Sequence, residues 1–495
     1  MEGFFEANKV DLLIVMVAYI TFLVLWGIYQ GRKVKTEEDF SIGGRRLPGW
    51  VAALSERATG ESSWALLGLP GAAYAMGVME VWTAVGCVLG IIVSWAILAW
   101  RLRNEAEKYQ VSTFTDYIAK RNSDLEKYVR VISSLTIVFF FFFYVGAQFL
   151  GGGKILFTMF GIKQEISMLI TAAIIIPYTI YGGFRSVVYT DVIQAIVMII
   201  TLVVGPIVGI YYISVNDGLY ANSMFEALNK AGESYTSFFG MGEGFVSGII
   251  ILSGFSWFFG YLGGQPQLTT RFMAINDFKQ AKKARNIGIL WTLFAYLGAL
   301  SLGWIGIAIF GPSGLTDREY VMPSVLLTIF SPYVAALLIT GAIAAMISTA
   351  DSLLILSATE LYENIIKRKK KKALNNNSDL FYSRVVTAII ALVALFVAFV
   401  SPSNLIFTLV SYVWAGIGGT FSVVILLSLF WKRFNGKSAI VTIAVGMLFT
   451  IIWISTGMEE VITSRILTFF VALIVAIVST LIFYPKSRKN LNYGN

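Results

Sequence analysis

Long apolar segments recur along the whole chain, and short polar connections separate them. A bilayer core about 30 Å thick is crossed by about 20 apolar residues in an α-helix. Thirteen segments meet that length, and we number them spans 0 to 12: roughly 10–30, 47–76, 79–100, 131–158, 164–182, 187–215, 244–269, 286–311, 334–364, 385–402, 404–431, 438–457 and 463–484. The pattern predicts an all-α polytopic membrane protein with about 13 transmembrane helices.

The composition agrees with a membrane protein and excludes several kinds of site. Of the 495 residues, 57% are hydrophobic and only 14% are charged, which is unusual for a soluble domain. The chain has no histidine, so histidine proton relays and histidine metal sites are excluded. Its single cysteine, Cys87, provides no internal disulfide and no cysteine cluster, and we expect a buried packing residue. No nucleophile–base pair or metal cluster points to an enzyme, and no cofactor is expected.

Basic residues are concentrated on one side of the predicted spans. Of the 38 Lys and Arg residues, 31 lie in the connections after the even-numbered spans or in the C-terminal tail, whereas five lie on the other side. The positive-inside rule therefore predicts an external N-terminus and a cytoplasmic C-terminus in the plasma (inner) membrane. Because this topology accounts for the net charge of +9, no nucleic-acid partner is needed.

Span 1 combines charged residues with residues that interrupt a helix. They are, in order, Glu56, Arg57, Gly60, Glu61, Gly68, Pro70 and Gly71. A charge at membrane depth costs at least about 2.5–3.5 kcal/mol, so such a residue usually faces a polar cavity. Backbone that leaves the helix at this depth must line a cavity or be buried in protein. We therefore expect residues 54–71 to form part of a binding site for a polar or ionic solute.

A second interrupted helix follows five spans later, at residues 257–266 of span 6. Paired breaks at corresponding places in two halves are typical of inverted-repeat secondary transporters, whose site lies where the breaks meet. The predicted organisation is an N-terminal extra helix and cytoplasmic loop (1–46), a first five-helix repeat (47–215), an external loop (216–243), a second five-helix repeat (244–431), and two C-terminal helices with a short cytoplasmic tail (432–495).

Five stretches between residues 68 and 416 resemble, in the same order, motifs of the sodium/solute symporter family. They are Gly68-Leu-Pro-Gly71, Tyr178-Thr-Ile-Tyr-Gly-Gly-Phe184 with Tyr189-Thr-Asp-Val-Ile-Gln194, Arg271-Phe-Met-Ala274, Ala344-Ala-Met-Ile-Ser-Thr349, and Leu409-Val-Ser-Tyr-Val-Trp-Ala-Gly416. The likeness is greatest to the bacterial sodium/proline symporters. It implies the LeuT-type fold of five-plus-five inverted repeats and solute uptake driven by the sodium gradient.

The resemblance also implies where sodium and the solute bind. The implied sodium ligands are three backbone carbonyls and two hydroxyls, carried by Ala58, Glu61, Ala345, Ser348 and Thr349. The hydroxyls have an alternative, because a serine or threonine in a helix can hydrogen-bond the carbonyl one turn earlier. The implied substrate contacts are Ser62, Tyr144, Trp257, Tyr261 and Gln265. After Tyr261 the chain is one residue longer than the pattern of the proline symporters. Gln265 therefore does not lie at the spacing from Tyr261 that this pattern has.

The chain differs from the proline symporters in the positions of its acidic residues. The proline symporters carry Asp where this chain has Gly60, and here a carboxylate follows one residue later, at Glu61. Glu61 either contributes charge to the cation site or pairs with Arg57, at a helical-neighbour spacing. Asp351 is a second candidate for that charge, and a buried acid also permits proton coupling. In the family Asp191 lies on the inner cation route or in a second sodium site; the alternative is an acid favoured at a helix start.

Together these features predict a symporter that imports a small amino acid, with proline first, using sodium as the coupling ion and alternating access. The alternative within the class is a sodium- or proton-coupled symporter of a small organic anion such as a monocarboxylate, which is favoured if Arg57 faces the cavity. A channel or a transporter-like sensor is the hypothesis from a different class. The expected partners are the small-molecule substrate, sodium and the lipid bilayer, and a monomer is consistent with the sequence.

Overall fold

A computed structural model describes residues 2–34, 37–122, 125–367, 376–401 and 403–484, and the tail beyond residue 484 lies outside this range. Helices α1 to α22 are, in order, Glu2–Gly31, Glu37–Ile42, Gly49–Ser63, Leu69–Met76, Val81–Val93, Ala99–Tyr109, Phe114–Asn122, Glu126–Phe160, Gln164–Val215, Met224–Ala231, Glu233–Thr236, Phe245–Phe255, Trp257–Gly260, Pro266–Met273, Phe278–Phe310, Val321–Ile329, Pro332–Leu361, Asn376–Phe399, Ile406–Val413, Thr420–Phe430, Gly436–Ser455 and Ser464–Phe483.

Eleven helical stretches in the described part of the chain are long and apolar enough to cross a bilayer. One of them, Gly49–Tyr109, contains both predicted spans 1 and 2. Within it Gly77, at φ 64°, ends one helix, and Val81 begins the next. Predicted span 6 coincides with a shorter apolar stretch, Phe245–Gly260. The all-α polytopic fold is thus confirmed, whereas the number of thirteen spans remains a prediction.

Predicted spans 4 and 5 form the two halves of the long helix α9. Gly183 divides them with φ 63° and ψ −177°, a conformation that other residues rarely adopt. A Cβ atom at this position would also lie 2.5 Å from the ring of Phe40 in α2. Glycine therefore permits both the bend and the close approach of α2, and the predicted boundary at 182 agrees with it.

Helices α9, α15 and α17 pack at the centre of the protein around α3. The crossing of α9 and α15 is the tightest, because a Cβ atom at Gly298 would lie 1.7 Å from the carbonyl oxygen of Leu202. Small residues let backbones approach in this way in membrane proteins, where van der Waals contact replaces the hydrophobic driving force. This packing buries α3 except at Trp50 and Leu54, and the charged residues of span 1 are all buried.

The first helix break lies at a different residue from those that the sequence indicates. Ser62 has φ 43° and ψ −161°, and a π-turn over Trp64–Gly68 joins it to α4. Gly68 is helical, and a Cβ atom there would lie 3.2 to 3.3 Å from atoms of Phe407. Gly71 similarly faces the backbone of Arg318 at 3.0 Å. The interruption at 54–71 is confirmed, but these glycines serve close packing, and Ser62 carries the break.

The second break lies within the predicted range of 257–266. The helix that begins at Trp257 ends at Gly260, and α14 begins at Pro266 after a non-helical stretch in which Gly263 has φ 83°. Proline at the first position of α14 costs no hydrogen bond, because that N–H has no partner in a helix. An isolated bridge between Leu47 and Ile275 joins the segment before α3 to the segment after α14. The two broken helices are thereby tied together at one end.

Candidate functional site

The strained residue of the first break is held by hydrogen bonds from two helices. The Tyr144 hydroxyl donates to Ser62 Oγ at 3.4 Å, and the Trp64 backbone N–H donates to the same atom at 3.3 Å. The Ser63 N–H donates to Gln148 Oε1 at 3.2 Å, so α8 also satisfies a backbone group freed by the break. Ser62 and Tyr144, two of the five predicted substrate residues, are therefore in contact.

Aromatic side chains fill the space between the two breaks. The rings of Trp64 and Trp257 stack with centroids 4.4 Å apart and planes 11° apart. Trp414 lies 5.4 Å from Trp257 and 5.0 Å from Tyr261, and its Nε1 donates to the Trp257 carbonyl oxygen at 3.3 Å. It also lies 6.4 Å from Tyr144, so it connects the predicted aromatics.

Sequence reasoning did not single out Trp64 or Trp414 as site residues. Trp64 comes two positions after the residue that carries the break, and its Nε1 donates to the Gly60 carbonyl oxygen at 3.0 Å. Trp414 lies in the family-like stretch 409–416 and begins a π-turn that ends at Gly419. In the sequence, Trp64 lies within the predicted break at 54–71 and Trp414 within the family-like stretch 409–416. Those two positions were the available signal.

Gln265 lies just before α14 and faces the same π-turn. Its Oε1 accepts a hydrogen bond from Gln267 Nε2 at 3.0 Å. Gln265 Nε2 and Gln267 Oε1 have no hydrogen-bond partner within the described structure, although both residues are buried. A buried amide that lacks a partner costs roughly 1–3 kcal/mol, so this pair has unused capacity to bind a polar group.

The charged residues of the first break form one buried cluster. Arg57 donates to Glu56 through Nε and Nη2, the former at 2.6 Å, and its Nη1 donates to Glu61 at 2.8 Å. Nη1 also donates to Thr292 in α15 at 3.1 Å, and Trp95 donates to Glu56 at 3.0 Å. Of the two sequence-based interpretations of Arg57, pairing is therefore the one that the structure shows.

Asp191 of α9 is the centre of a second polar cluster, which joins α3, α14 and α17. It accepts hydrogen bonds from Ser55 and Ser348, both at 2.5 Å, and from Arg271 Nη2 at 2.8 Å. Arg271 also donates to Ser55 at 2.7 Å and to Ser352 at 2.6 Å. Asp191 is completely buried, so it is not an acid at a solvent-facing helix start. Arg271 was noted only as part of a motif, and its role as the counter-ion appears only in the fold.

The predicted sodium hydroxyls bond groups of α9 and α3 and not of their own helix. Thr349 Oγ1 donates to the carbonyl oxygen of Thr59 at 3.1 Å, and Ser348 donates to Asp191. Thr59 Oγ1 lies 3.5 Å from Ser348 Oγ. The structure thus brings α17 against the part of α3 that contains Ala58 and Glu61. Asp351, two residues after Thr349, accepts a hydrogen bond from Thr179 of α9.

Comparisons with known proteins identify the family to which the chain belongs. The profile of the sodium:solute symporter family matches residues 40–446. The chain is 34% identical to the high-affinity proline transporter PutP of Bacillus subtilis, over 88% of this chain and 91% of that protein. It is 31% identical to the osmoregulated proline transporter OpuE of Bacillus subtilis, over 95% of both proteins. It is 33% identical to the sodium/proline symporter of Escherichia coli, over 91% of this chain and 89% of the other.

A solved structure shares the fold at low sequence identity. The substrate-bound outward-open state of a Na⁺-coupled sialic acid symporter superposes with a TM-score of 0.79 at 18% identity, over 96% of this chain and 98% of the other. The expected LeuT-type architecture is therefore present, and the protein is a multi-pass membrane transporter and not an enzyme. The chain belongs to the sodium:solute symporter family.

Proposed function

We propose that this transporter imports proline, with sodium as the coupling ion, through alternating access around the two helix breaks. One observation carries the proposal: an oxygen-rich contact between α3 and α17 lies on the same short stretch of α3 as an aromatic pocket at Ser62. An ion and a solute bound there would each stabilise the same conformation of the break. Coupling needs such a shared element, because each ligand can shift an equilibrium only through its differential affinity for the two states.

For sodium we propose the carbonyls of Ala58, Glu61 and Ala345 with the hydroxyls of Ser348 and Thr349. Hard cations prefer oxygen ligands, and a broken helix frees carbonyls to supply them. The support is that Thr349 already bonds a carbonyl of α3 across the helix boundary. Sodium would replace this hydrogen bond with coordination by the Thr349 hydroxyl and by the carbonyl of Ala58, the residue next to Thr59.

For the substrate we propose a pocket of Ser62, Tyr144, Trp257, Tyr261 and Gln265, together with Trp64 and Trp414, whose rings contact this set. Tryptophan and tyrosine faces suit a small apolar ring, and the unused amide of Gln265 suits a polar group of the solute. The relatives named as proline transporters support proline as the solute. In the described conformation the rings contact one another, so binding requires Trp64 and Trp257 to separate.

Charge balance favours a monovalent coupling ion. Arg271 offsets Asp191, whereas Glu56, Arg57 and Glu61 together leave one negative charge buried. A buried charge is costly unless it is paired, so a bound cation would relieve that cost. We propose Glu61 as the main source of this charge and Asp351 as a second one. The N–H groups of Arg57 already donate to Glu56, Glu61 and Thr292. This pairing argues against the organic-anion alternative, which requires Arg57 to face the cavity.

The orientation is also proposed, with the N-terminus outside and the C-terminus in the cytoplasm. Its support is the concentration of basic residues in the connections after even-numbered spans. The division into repeats at 47–215 and 244–431 is proposed on the matching breaks near the start of each repeat.

Uptake into proteoliposomes tests the function. Labelled proline should accumulate above its external concentration when a sodium gradient is imposed and not when a proton gradient replaces it. Accumulation that follows only the proton gradient would overturn sodium coupling, and monocarboxylate uptake without proline uptake would favour the alternative. Sodium-dependent uptake that is unchanged in both Glu61→Gln and Asp351→Asn would contradict the proposed charge.

A further inference from the structure

One buried arginine of the described chain has no carboxylate partner. Each of the other buried basic residues forms an ion pair with a carboxylate, and these residues are Arg57, Arg130, Lys154 and Arg271. Arg465 is only 8% exposed, and none of the described carboxylates forms an ion pair with it. Glu80 and Glu459 act on its charge only from a distance. A buried charge is costly unless it is paired, so an anion that reached Arg465 would be stabilised there.

The guanidinium of Arg465 donates hydrogen bonds to neutral oxygens only. Its Nε donates to Ser256 Oγ at 2.9 Å, its Nη2 donates to the Ser253 carbonyl oxygen at 3.1 Å, and its Nη1 donates to Ser411 Oγ. A guanidinium carries five N–H groups, of which Nη1 and Nη2 carry two each. One N–H on each of these two nitrogens is therefore left for a ligand. Two such parallel N–H groups are the arrangement that binds both oxygens of a carboxylate.

The guanidinium lies beside the aromatic residues of the proposed substrate pocket. Its central carbon is 4.9 Å from the centroid of the Trp257 ring, a distance at which a cation and an aromatic face attract each other. Its hydrogen-bond acceptors are also close to the pocket along the chain. Ser256 directly precedes Trp257, and Ser411 lies three residues before Trp414. These bonds therefore hold Arg465 next to two tryptophans that would contact the solute.

Arg465 lies near the external ends of the helices in the proposed orientation. It is the second residue of α22, and the connection before α22 belongs to the set that contains few basic residues. Imported solute enters the transporter from this side. Arg465 is therefore placed to contact the solute as it enters the pocket.

We propose that Arg465 binds the carboxylate of the entering solute through the free N–H groups of Nη1 and Nη2. This proposal rests on the proposed import of proline. The apolar ring of proline would pack against Trp257 while the guanidinium pairs with its carboxylate, which offsets the buried positive charge. Arg465 is thus a specificity-determining residue: it selects solutes with a free carboxylate over the corresponding amides and esters.

Competition between proline and prolinamide, which keeps the ring and the amine but lacks the negative carboxylate, tests this contact. In wild-type proteoliposomes, inhibition of labelled proline uptake should require about a tenfold or higher concentration of prolinamide than of unlabelled proline. Arg465→Gln should weaken proline by about tenfold or more and leave prolinamide nearly unchanged, because only proline loses a charge partner. An arginine that merely held the helices together would weaken both ligands alike. Binding of labelled proline to the purified proteins gives the same comparison for a variant that does not transport.

Two further variants separate the contact from effects on folding and on surface charge. Arg465→Lys keeps the charge but lacks the paired N–H groups, so it should reduce the preference for proline by about threefold, and it carries the test if Arg465→Gln does not fold. Lys230→Gln is the matched control, because Lys230 is exposed, pairs with Glu226 and lies on the same side in the proposed orientation. It should keep the wild-type preference.

Three results would overturn the contact: equal inhibition of the wild type by proline and prolinamide, an unchanged preference in the Arg465 variants, or an equal loss of preference in Lys230→Gln. Absence of proline uptake and of proline binding in the wild type would instead contradict the proposed function on which the contact rests.

Discussion

Single residues with unusual environments lie along the proposed transport path. Ser62 adopts a conformation reserved largely for glycine, and the surrounding helices hold it there through its hydroxyl. Asp191 and Arg271 form a buried ion pair that reaches α3 through Ser55 and α17 through Ser348 and Ser352. Strained backbone and buried charge are both costly, and they persist at sites where function depends on them.

Two replacements of Ser62 distinguish the backbone strain at this residue from the contribution of its hydroxyl to proline binding. Ser62→Gly should stabilise the protein by about 1 kcal/mol or more, because glycine adopts φ 43° without the steric cost. Ser62→Ala keeps that cost and should not stabilise. Both variants lack the hydroxyl, so both should bind proline more weakly. Thermal unfolding in detergent and the proline KM check this, and equal stability of the two variants would contradict strain at this residue.

The Asp191–Arg271 pair should behave as a unit. Arg271→Gln leaves Asp191 buried without its counter-ion and should destabilise the protein by about 3–5 kcal/mol. Asp191→Asn combined with Arg271→Gln should cost less than the sum of the single changes, because the two residues share one interaction. Unfolding of the two single variants and the double variant measures the coupling, and strictly additive losses would show that the pair is not energetically linked.

At the scale of helices, close contact between backbones positions the site. The crossing of α9 and α15 at Gly298 and the bend of α9 at Gly183 leave no room for side chains. These contacts fix α9, which carries Asp191, against α3 and α17. Packing in this part of the fold therefore determines where the polar groups meet.

Gly298→Ala should destabilise this crossing strongly. The new Cβ atom would lie 1.7 Å from the Leu202 carbonyl oxygen, so α9 and α15 must separate, at a cost of about 1–3 kcal/mol or more. Gly248→Ala is the control, because no atom lies within 4 Å of a Cβ atom there, and alanine is the better helix former. Size-exclusion profiles of the heated proteins should show early aggregation for the first variant only.

At the scale of the whole molecule, the proposed orientation divides the connections between helices into an external and a cytoplasmic set. The longest predicted external loop, at 216–243, carries helices α10 and α11. Basic connections such as the one before α15 lie on the other side in the proposed orientation. The single cysteine, Cys87, is buried as expected, so the chain offers a nearly silent background for labelling.

Labelling of introduced cysteines tests the orientation. In a Cys87→Ser background, Asn229→Cys in α10 should react with a membrane-impermeant maleimide on intact right-side-out vesicles. Lys282→Cys, near the start of α15, should react only after permeabilisation. Both positions are exposed, so the contrast reports the side of the membrane and not burial. The reverse pattern would invert the proposed topology.

The sequence by itself determined the fold class, the approximate span boundaries and the existence of two breaks. Each of these depends on local properties: apolar length, charge in connections, and motifs along the chain. It also indicated Trp257 and Tyr261 as neighbours of a break, because their positions along the chain place them there.

Only the tertiary structure decided which residues meet. The break lies at Ser62, whereas Gly68 and Gly71 pack closely against Phe407 and Arg318. The pairing of Arg271 with Asp191 joins residues 80 positions apart, and the hydrogen bond from Arg57 to Thr292 spans 235 positions. Side-chain contacts between distant segments follow from how the helices pack, which no local pattern specifies.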